Sequence, residues 1–250
     1  MKIIVCVKHV PATDARIKLG ADGKSIDETG INFIINPYDE FAIEEALLIK
    51  EKLGGEIMIV TLGESSAIES IRKGLAMGAD KAVHLVCENV ALADPWAVAN
   101  RLAEEIREHD SDLILCGKNS ADAQNQQVGS LVAAMLEKPV VTSVVEIEAE
   151  ENTVTVWREI ESGKEVYELS LPALLTVNKT EHEPRYASLR GIMMAKKKPV
   201  ETKDVSIENG AIVVEEMSLP KAKEPCKIVG TDADSSGDLA NLLHNEAKVI

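Results

Sequence analysis

The polar segment from Gly117 to Gly129 carries the side chains of this sequence best suited to bind a ligand. It follows an apolar run, has glycine at both ends, and contains closely spaced Asn and Gln residues before a segment of helical character. Unpaired N–H groups and the positive dipole end of a helix N-terminus suit a phosphate group. The length and amide density of this loop therefore favour nucleotide binding over an ordinary turn with capping amides.

Other short motifs lack residues that their chemistry requires. Gly23-Lys24-Ser25 resembles the end of a P-loop, but the upstream position that needs glycine holds Lys18. The segment 232–237 imitates a calcium loop, but Leu243 stands where a bidentate Glu is needed, which favours a helix-capping turn. The five histidines show no metal spacing, and the four scattered cysteines include no CxxC pair. We therefore predict no catalytic residue and no metal site in this chain.

Composition limits the class of protein. The chain has 250 residues, of which 45% are hydrophobic and only 3% aromatic, so an aliphatic core is expected. Its formal net charge of -15 disfavours nucleic acid or an anionic membrane as a partner of the whole surface. No apolar run approaches the ~20 residues of a membrane span, and the N-terminus shows no signal peptide. We expect a soluble cytoplasmic protein without membrane insertion.

Apolar runs alternate with segments of helical periodicity from residue 2 to residue 147. The runs predict buried strands at 2–7, 56–62, 81–86, 112–116 and 140–147. The intervening patterns predict helices at 40–53, 65–77, 95–108 and 128–136. This alternation predicts an α/β fold with a doubly wound, mostly parallel sheet. Ligands of such sheets bind beyond the carboxyl ends of the strands, which is where the loop 117–129 lies.

The pattern changes in the second half of the chain. Residues 153–159 and 164–169 alternate at period two around Glu161-Ser162-Gly163, which predicts an antiparallel hairpin extension. Another apolar strand is expected at 173–177. Periodicity is then lost until a last amphipathic helix at 237–248. We therefore predict a nucleotide-binding domain at 1–180 and, at 181–250, a partner-docking loop with a long C-terminal arm that needs a partner.

The run 184–199 is the least ordinary part of the sequence. It places Leu189, Ile192, Met193 and Met194 beside three lysines in an otherwise acidic chain. A plain surface helix has a similar composition. Exposed Leu and Met beside positive charge also suit a docking surface for varied acidic partners, because these side chains repack easily.

These motifs together resemble electron-transfer flavoprotein beta subunits along essentially the whole chain. The two most specific in combination are Arg158–Gly163 and the run from Pro184-Arg185-Tyr186 through Ala195–Lys198. The other matching segments are Val5–Lys8, Asn36–Asp39, Ile43–Ala46, Ala76–Asp80 and Gly117–Gly129.

The resemblance implies an adenine-nucleotide α-hydrolase-like fold and a heterodimer with an alpha subunit that holds the redox FAD. It implies that the beta subunit holds AMP, and that the pair carries electrons from acyl-CoA dehydrogenases to an acceptor such as a quinone oxidoreductase. By the family pattern, the nucleotide-binding residues are Cys6, Asn36, Pro37, Tyr38, Asp39, Leu62, Gly117, Lys118, Asn119, Ser120, Ala121, Asp122, Asn125, Gln126, Gln127 and Val128. The residues assigned to partner docking are Tyr186, Leu189, Ile192, Met193, Lys196, Lys197 and Lys198.

Two alternatives remain at the level of sequence. Electron-bifurcating members of the family bind a second FAD in place of AMP and react with NADH. They tend to carry an Asp-Thr-Leu-Ala-Thr type segment where this chain has Asp94-Pro95-Trp96-Ala97-Val98, although Gln127-Val128-Gly129 resembles their loop. We favour AMP. A stand-alone ATP-binding or ATP-hydrolysing protein needs an SGGxDS-type loop after the first strand, and Lys8-His9-Val10-Pro11 stands there instead.

Overall fold

The computed structural model describes residues 1–88, 90–207, 212–223 and 225–250. The described chain divides into two units, Met1–Met217 and Ser218–Ile250. The predicted C-terminal arm includes residues 208–211 and 224, which lie outside the described residues.

The first unit contains a large sheet and a small two-stranded one. Its strands are β1 (Lys2–Cys6), β2 (His9–Pro11), β3 (Phe33–Ile35), β4 (Glu56–Gly63), β5 (Lys81–Val86), β6 (Leu113–Gly117), β7 (Val140–Ala149), β8 (Thr153–Ile160), β9 (Gly163–Ser170), β10 (Ala173–Val177) and β11 (Val200–Asp204). Among the described residues, nine strands form the large sheet in the order β11-β5-β4-β1-β6-β10-β7-β8-β9. The pairings from β11 to β7 are parallel, whereas β8 and β9 are antiparallel additions, and β2 pairs antiparallel with β3.

Helices cover both faces of the large sheet. They are α1 (Pro37–Leu53), α2 (Ile68–Met77), α3 (Pro95–Arg107), α4 (Val128–Met135) and α5 (Leu189–Ala195). Successive residues of β1 point to opposite faces, so Ile3 and Val5 join the core beneath α1 and α2, while Ile4 and Cys6 join the core beneath α3 and α4. Burial on both faces explains why the central strands are almost continuously apolar.

The predicted fold class is confirmed. The alternating region folds as a doubly wound, mostly parallel sheet, and β8 and β9 form the predicted hairpin with Glu161 and Ser162 between them. The sequence did not predict β11, which extends the opposite edge of the sheet by pairing in parallel with β5. The Lys203 ammonium of β11 binds both carboxylate oxygens of buried Glu105 in α3, at 2.8 and 2.9 Å. Because this strand is short and mostly polar, its position depends on such contacts.

The second unit contains the helix α6 (Ser235–Leu242), followed by a π-helical turn at Leu243–Ala247. Asp232 accepts a hydrogen bond from the Ser235 N–H at 3.1 Å, so the calcium-like segment forms a turn before the helix. Nowhere in the described part of the chain is a helix both long and apolar enough to cross a lipid bilayer.

Candidate functional site

The carboxyl ends of β1 and β6 meet the start of α1 at one buried carboxylate, that of Asp39. The Lys8 N–H, two residues after the end of β1, donates to Asp39 Oδ2 at 2.7 Å. The Gly117 N–H at the end of β6 donates to Asp39 Oδ1 at 3.0 Å, and Asn36 Nδ2 donates to the same oxygen at 2.9 Å. One side chain therefore joins two strand ends and a helix start.

The Asn36 side chain fixes the loop after β6. Its Nδ2 group also donates to the Asn119 carbonyl at 2.9 Å, and its Oδ1 accepts from the Ala121 N–H at 3.0 Å. Asn36 is 1% exposed, and Pro37 follows as the first residue of α1, where a missing N–H has no cost. The sequence-predicted residues 36–39 and 117–122 are therefore brought together, and we call this region, with the residues 123–128 that follow it, the edge site.

Two glycines permit close approach at the edge site. A Cβ on Gly117 would overlap Asp39 Oδ1 and come within 2.8 Å of Tyr38 Cβ. A Cβ on Gly129 would lie 2.6 Å from Thr176 Cγ2 of β10. Glycine at these positions therefore lets the loop and α4 pack directly on the strand ends.

The charges of the edge site are balanced locally. Burial raises the pKa of Asp39 to about 7, although its three N–H donors and the nearby Lys8 ammonium favour the carboxylate. Burial alone would raise the pKa of Asp122, but the Lys8 ammonium, 2.6 Å away, and hydrogen bonds lower it. The Lys118 ammonium lies 4.9 Å from the centroid of the Tyr38 ring.

Several groups at the edge site are available to a ligand. Asn119 Oδ1 is buried and has no hydrogen-bond partner within the part of the chain that the structure describes. The side chains of Asn125, Gln126 and Gln127 are exposed just before α4, whose first turn begins at Val128. This arrangement combines amide donors and acceptors with a helix N-terminus, and it suits a polar, phosphate-bearing molecule.

Cys6 and Leu62 belong to the buried hydrophobic core beside the carboxyl ends of the strands. Cys6 is the register partner of Cys116, and both thiols are buried in the same core as Leu62. A hydrogen bond with Cys6, together with burial, raises the pKa of the Cys116 thiol well above its ordinary value. These groups therefore contribute apolar contact rather than nucleophilic chemistry.

The residues predicted to dock a partner lie on α5 and directly before and after it. Tyr186 is 99% exposed and Leu189 is 83% exposed, while Ile192 and Met193 are also exposed. The side chains of Lys196 and Lys197 are exposed as well. Lys198 differs, because its ammonium donates to the Leu75 and Ala79 carbonyls at 3.0 and 2.6 Å, and burial lowers its pKa.

The docking residues and the edge site lie apart. Helix α2 runs from the carboxyl end of β4 towards the start of β5, and α5 packs near the end of α2, at Ala76. The edge site lies at the opposite ends of the strands. The sequence predicted both groups of residues as functional, but it could not show that they lie at opposite ends of the strands.

Two interactions were missed at the level of sequence. Lys8 holds the loop through Asp122 and lies 3.4 Å from Ser120 Oγ, and its position directly after the first strand was the available signal. Arg185 binds Glu44, which is 5% exposed, through several hydrogen bonds. Because these two residues lie far apart in the chain, no local pattern links them.

Comparison with known proteins identifies the family. The family model described as electron transfer flavoprotein domain matches residues 24–208. The chain is 41% identical to the electron transfer flavoprotein subunit beta of Syntrophomonas wolfei over 251 residues, which cover 100% of this chain and 98% of the relative. It is 37% identical to the Bacillus subtilis protein of the same name, with both chains fully covered.

A third relative has a different name. The caffeyl-CoA reductase-Etf complex subunit CarD of Acetobacterium woodii is 41% identical over 202 residues, covering 80% of this chain and 77% of that protein. The family match spans most of the chain, and it includes the hairpin, the strands of the large sheet other than β1, and residues 36–39 and 117–128 of the edge site. This chain belongs to the electron transfer flavoprotein family, as one of its beta subunits.

Proposed function

We propose that this chain is the nucleotide-binding half of a heterodimer with an electron transfer flavoprotein alpha subunit, and that the heterodimer carries electrons between other flavoenzymes. The observation that carries this proposal is the edge site, where a polar loop and a helix start are fixed around Asp39 by hydrogen bonds from Asn36, Lys8 and Gly117.

The nucleotide proposed for the edge site is AMP, in a structural role. Buried Asn119 Oδ1, which has no partner among the described residues, supplies an acceptor, and the amides at 125–127 with the start of α4 supply donors towards a phosphate. The redox chemistry would be supplied by FAD, held mainly by the alpha subunit. The residues of this chain would then bind and orient AMP and hold the loop that contacts it.

Features at the start of α3 favour AMP over a second FAD. Asp94 caps this helix by accepting from the Ala97 N–H at 2.7 Å, and its other oxygen accepts from the Ile212 N–H at 3.2 Å. Pro95 has no N–H, and Trp96 is bulky and 53% exposed. Bifurcating members carry an aspartate at the same position, so the missing threonines and the bulky Trp96 side chain, which stands where a flavin would need room, are the features that favour AMP.

A bifurcating or confurcating subunit, with a second FAD that reacts with NADH, is the second candidate. It is favoured by Gln127-Val128-Gly129 in the loop and by the similarity to a subunit of a caffeyl-CoA reductase-Etf complex. In that case the same edge site would hold the adenosine end of the flavin.

The partners proposed for the heterodimer are an acyl-CoA dehydrogenase-type flavoenzyme, as electron donor, and a quinone oxidoreductase, as acceptor. Leu189 and Met193 support this, because exposed apolar side chains that fill a partner's pocket contribute much of the binding energy at such interfaces. Lys196 and Lys197 would steer an acidic partner.

Identification of the released nucleotides tests the proposal. The chain is purified with its alpha subunit, the complex is denatured, and the nucleotides are separated and quantified. One FAD and one AMP per heterodimer supports the electron carrier, whereas two FAD without AMP supports the bifurcating alternative. A complex that holds one FAD and no second nucleotide would reject the edge site as a nucleotide site.

Variants of the loop locate the nucleotide. Asn125→Ala and Gln127→Ala should each weaken AMP retention by about 1.5–3 kcal/mol, the value of a hydrogen bond to a charged group. The matched control is Asn152→Ala, which removes an exposed amide from the turn between β7 and β8. Loss of FAD with AMP retained would show that the loop contacts FAD and not AMP.

A further inference from the structure

Charged side chains hold α5 to the rest of its unit just before its first residue and around its last residue. We propose that Arg185 and Glu44 are positioning residues, which fix α5 in the orientation that a partner flavoenzyme recognises. This inference rests on the proposed docking role of Leu189. It assigns a function to an ion pair that belongs neither to the edge site nor to the exposed apolar side chains.

Two groups of polar contacts, which we call clamps, hold α5. The first clamp is formed by Arg185 and Glu44 and holds the chain just before α5. Arg185 Nη2 donates to Glu44 Oε1 at 2.7 Å, and Arg185 Nε donates to Glu44 Oε2 at 2.9 Å. The Arg185 N–H donates to Glu44 Oε2 at 3.0 Å, and Nη1 binds Glu51 at 2.6 Å. Because Glu44 lies in the rigid helix α1 and is 5% exposed, this bidentate contact fixes both the side chain and the backbone of Arg185.

A neighbouring contact strengthens the first clamp. His182 Nδ1 lies 3.0 Å from Glu45 Oε1, and Glu45 is 2% exposed. Two consecutive buried carboxylates of α1 therefore both point to the segment 182–185. Carboxylates are rarely buried unless they are paired. The segment 182–185 supplies the partners that allow these two carboxylates of α1 to be buried.

The second clamp holds the chain at and after the end of α5. Arg72 of α2 donates to the Ala195 and Lys198 carbonyls at 2.6 and 3.0 Å. In return, Lys198 donates to the Leu75 and Ala79 carbonyls around the end of α2. Cations are favourable at carbonyl groups that lack helical partners.

Apolar packing contributes little to the position of α5. Of its seven residues only Ala195 is buried, at 2% exposure. Gly191 brings the backbone against the Ala76 carbonyl, where a Cβ would overlap the oxygen. A helix of this length is not stable by itself in water. The clamps, rather than a core, therefore determine its orientation, and they leave Leu189 and Met193 free to contact a partner.

The experiment compares the heterodimer of this chain and its alpha subunit with its Arg185→Gln, Glu44→Gln and doubly substituted forms. Amide hydrogen exchange of residues 186–196 is measured, together with KM and kcat for electron transfer from an acyl-CoA dehydrogenase. A tenfold fall in the fraction of correctly oriented helix should raise KM for the flavoprotein about tenfold, with kcat unchanged. Exchange should accelerate in the same segment, and the double substitution should add little, because both residues act through one contact.

The matched control is Lys179→Ala, which removes an exposed ion pair with Glu183 from the same part of the chain. It should leave both KM and exchange unchanged. Melting temperature and AMP content show whether each variant is folded. If Arg185→Gln does not fold, Arg185→Lys is used, which keeps the charge but loses the bidentate contact, and a smaller rise in KM is expected.

The outcomes separate this inference from the proposed function. A wild-type heterodimer that accepts no electrons from the dehydrogenase refutes the docking function, and the inference falls with it. An active wild type whose folded clamp variants keep the wild-type KM overturns the inference alone. A fall in kcat at unchanged KM would also overturn it, because the clamp would then act on a step other than partner binding.

Discussion

The edge site and the docking segment (residues 182–198) are held in place by different kinds of interaction, although both depend on α1. At the edge site, the buried Asp39 carboxylate is surrounded by neutral N–H donors and by glycine backbone in close contact. In the docking segment, the buried Glu44 carboxylate binds a guanidinium group. The two carboxylates are five positions apart on one helix.

This difference teaches how each region tolerates change. The edge site is organised by backbone groups, so an added atom or a change of charge at Asp39 or Gly117 must disturb the strand ends. The docking segment keeps its apolar side chains in solvent and depends on a few clamps. Its exposed apolar residues can therefore change without loss of the fold, whereas a change in Arg185 or Glu44 should alter the orientation of α5.

The largest predicted effect concerns the pH dependence of stability at Asp39. Its carboxyl pKa is raised from 3.8 to about 7 by burial, so the folded state binds more protons than the unfolded state between these values. The resulting stabilisation is present at low pH and is lost as pH rises through about 7. Relative to Asp39→Asn, the wild-type free energy of unfolding should fall by roughly 2–3 kcal/mol from pH 5 to pH 8.

Urea unfolding of the nucleotide-free chain and of the Asp39→Asn variant at several pH values measures this difference. The variant serves as the reference because the other titrating groups are common to both proteins. Parallel pH profiles would contradict the prediction, and would mean that the N–H donors compensate fully for the burial of Asp39.

Gly117→Ala should have the next largest effect. The new Cβ would overlap Asp39 Oδ1, and overpacking of this kind costs about 1–3 kcal/mol of stability. The hydrogen bond from the Gly117 N–H to Asp39 Oδ1 fixes the start of the loop. Because the overlap would disturb this bond, AMP should be lost on purification. Thermal unfolding and nucleotide analysis of the purified heterodimer provide the measurements.

Gly237→Ala in α6 is the matched control, because no atom lies within 4 Å of a Cβ added there. It should leave stability unchanged or raise it by up to about 1 kcal/mol, since Ala favours a helix more than Gly does. Equal stability of the Gly117→Ala variant and the wild type would show that the edge site is less tightly packed than the structure indicates.

Leu189→Ala should have the smallest effect on stability, under about 0.5 kcal/mol, because the side chain is 83% exposed. Electron transfer from the acyl-CoA dehydrogenase should nevertheless become slower, while AMP and FAD contents stay constant. Leu75→Ala in α2 is the buried counterpart and should cost about 2–5 kcal/mol. A stable Leu189→Ala protein with undiminished transfer would remove Leu189 from the docking surface.

Local pattern was sufficient to predict most of the fold. Strands such as β1 and β4 are apolar along most of their length because both faces are buried, and β8 and β9 alternate on either side of a turn formed by Glu161 and Ser162. The strand β11 escaped prediction because its five residues, Val200–Asp204, are mostly polar. It is held by pairing with β5 and by the contact of Lys203 with Glu105, both far away in the sequence.

The sequence by itself determined the alternation of strands and helices, the polar loop after β6 and the apolar residues beside the lysines at 189–198. These follow from properties of neighbouring residues: periodicity, glycine position and side-chain polarity. Only the tertiary structure decided that Asp39 would bind the ends of two strands, that Glu44 would bind Arg185, and that Lys198 would turn inward to α2. The physical reason is that a buried charge must find its partners wherever the fold brings donors close, and sequence separation does not predict that proximity.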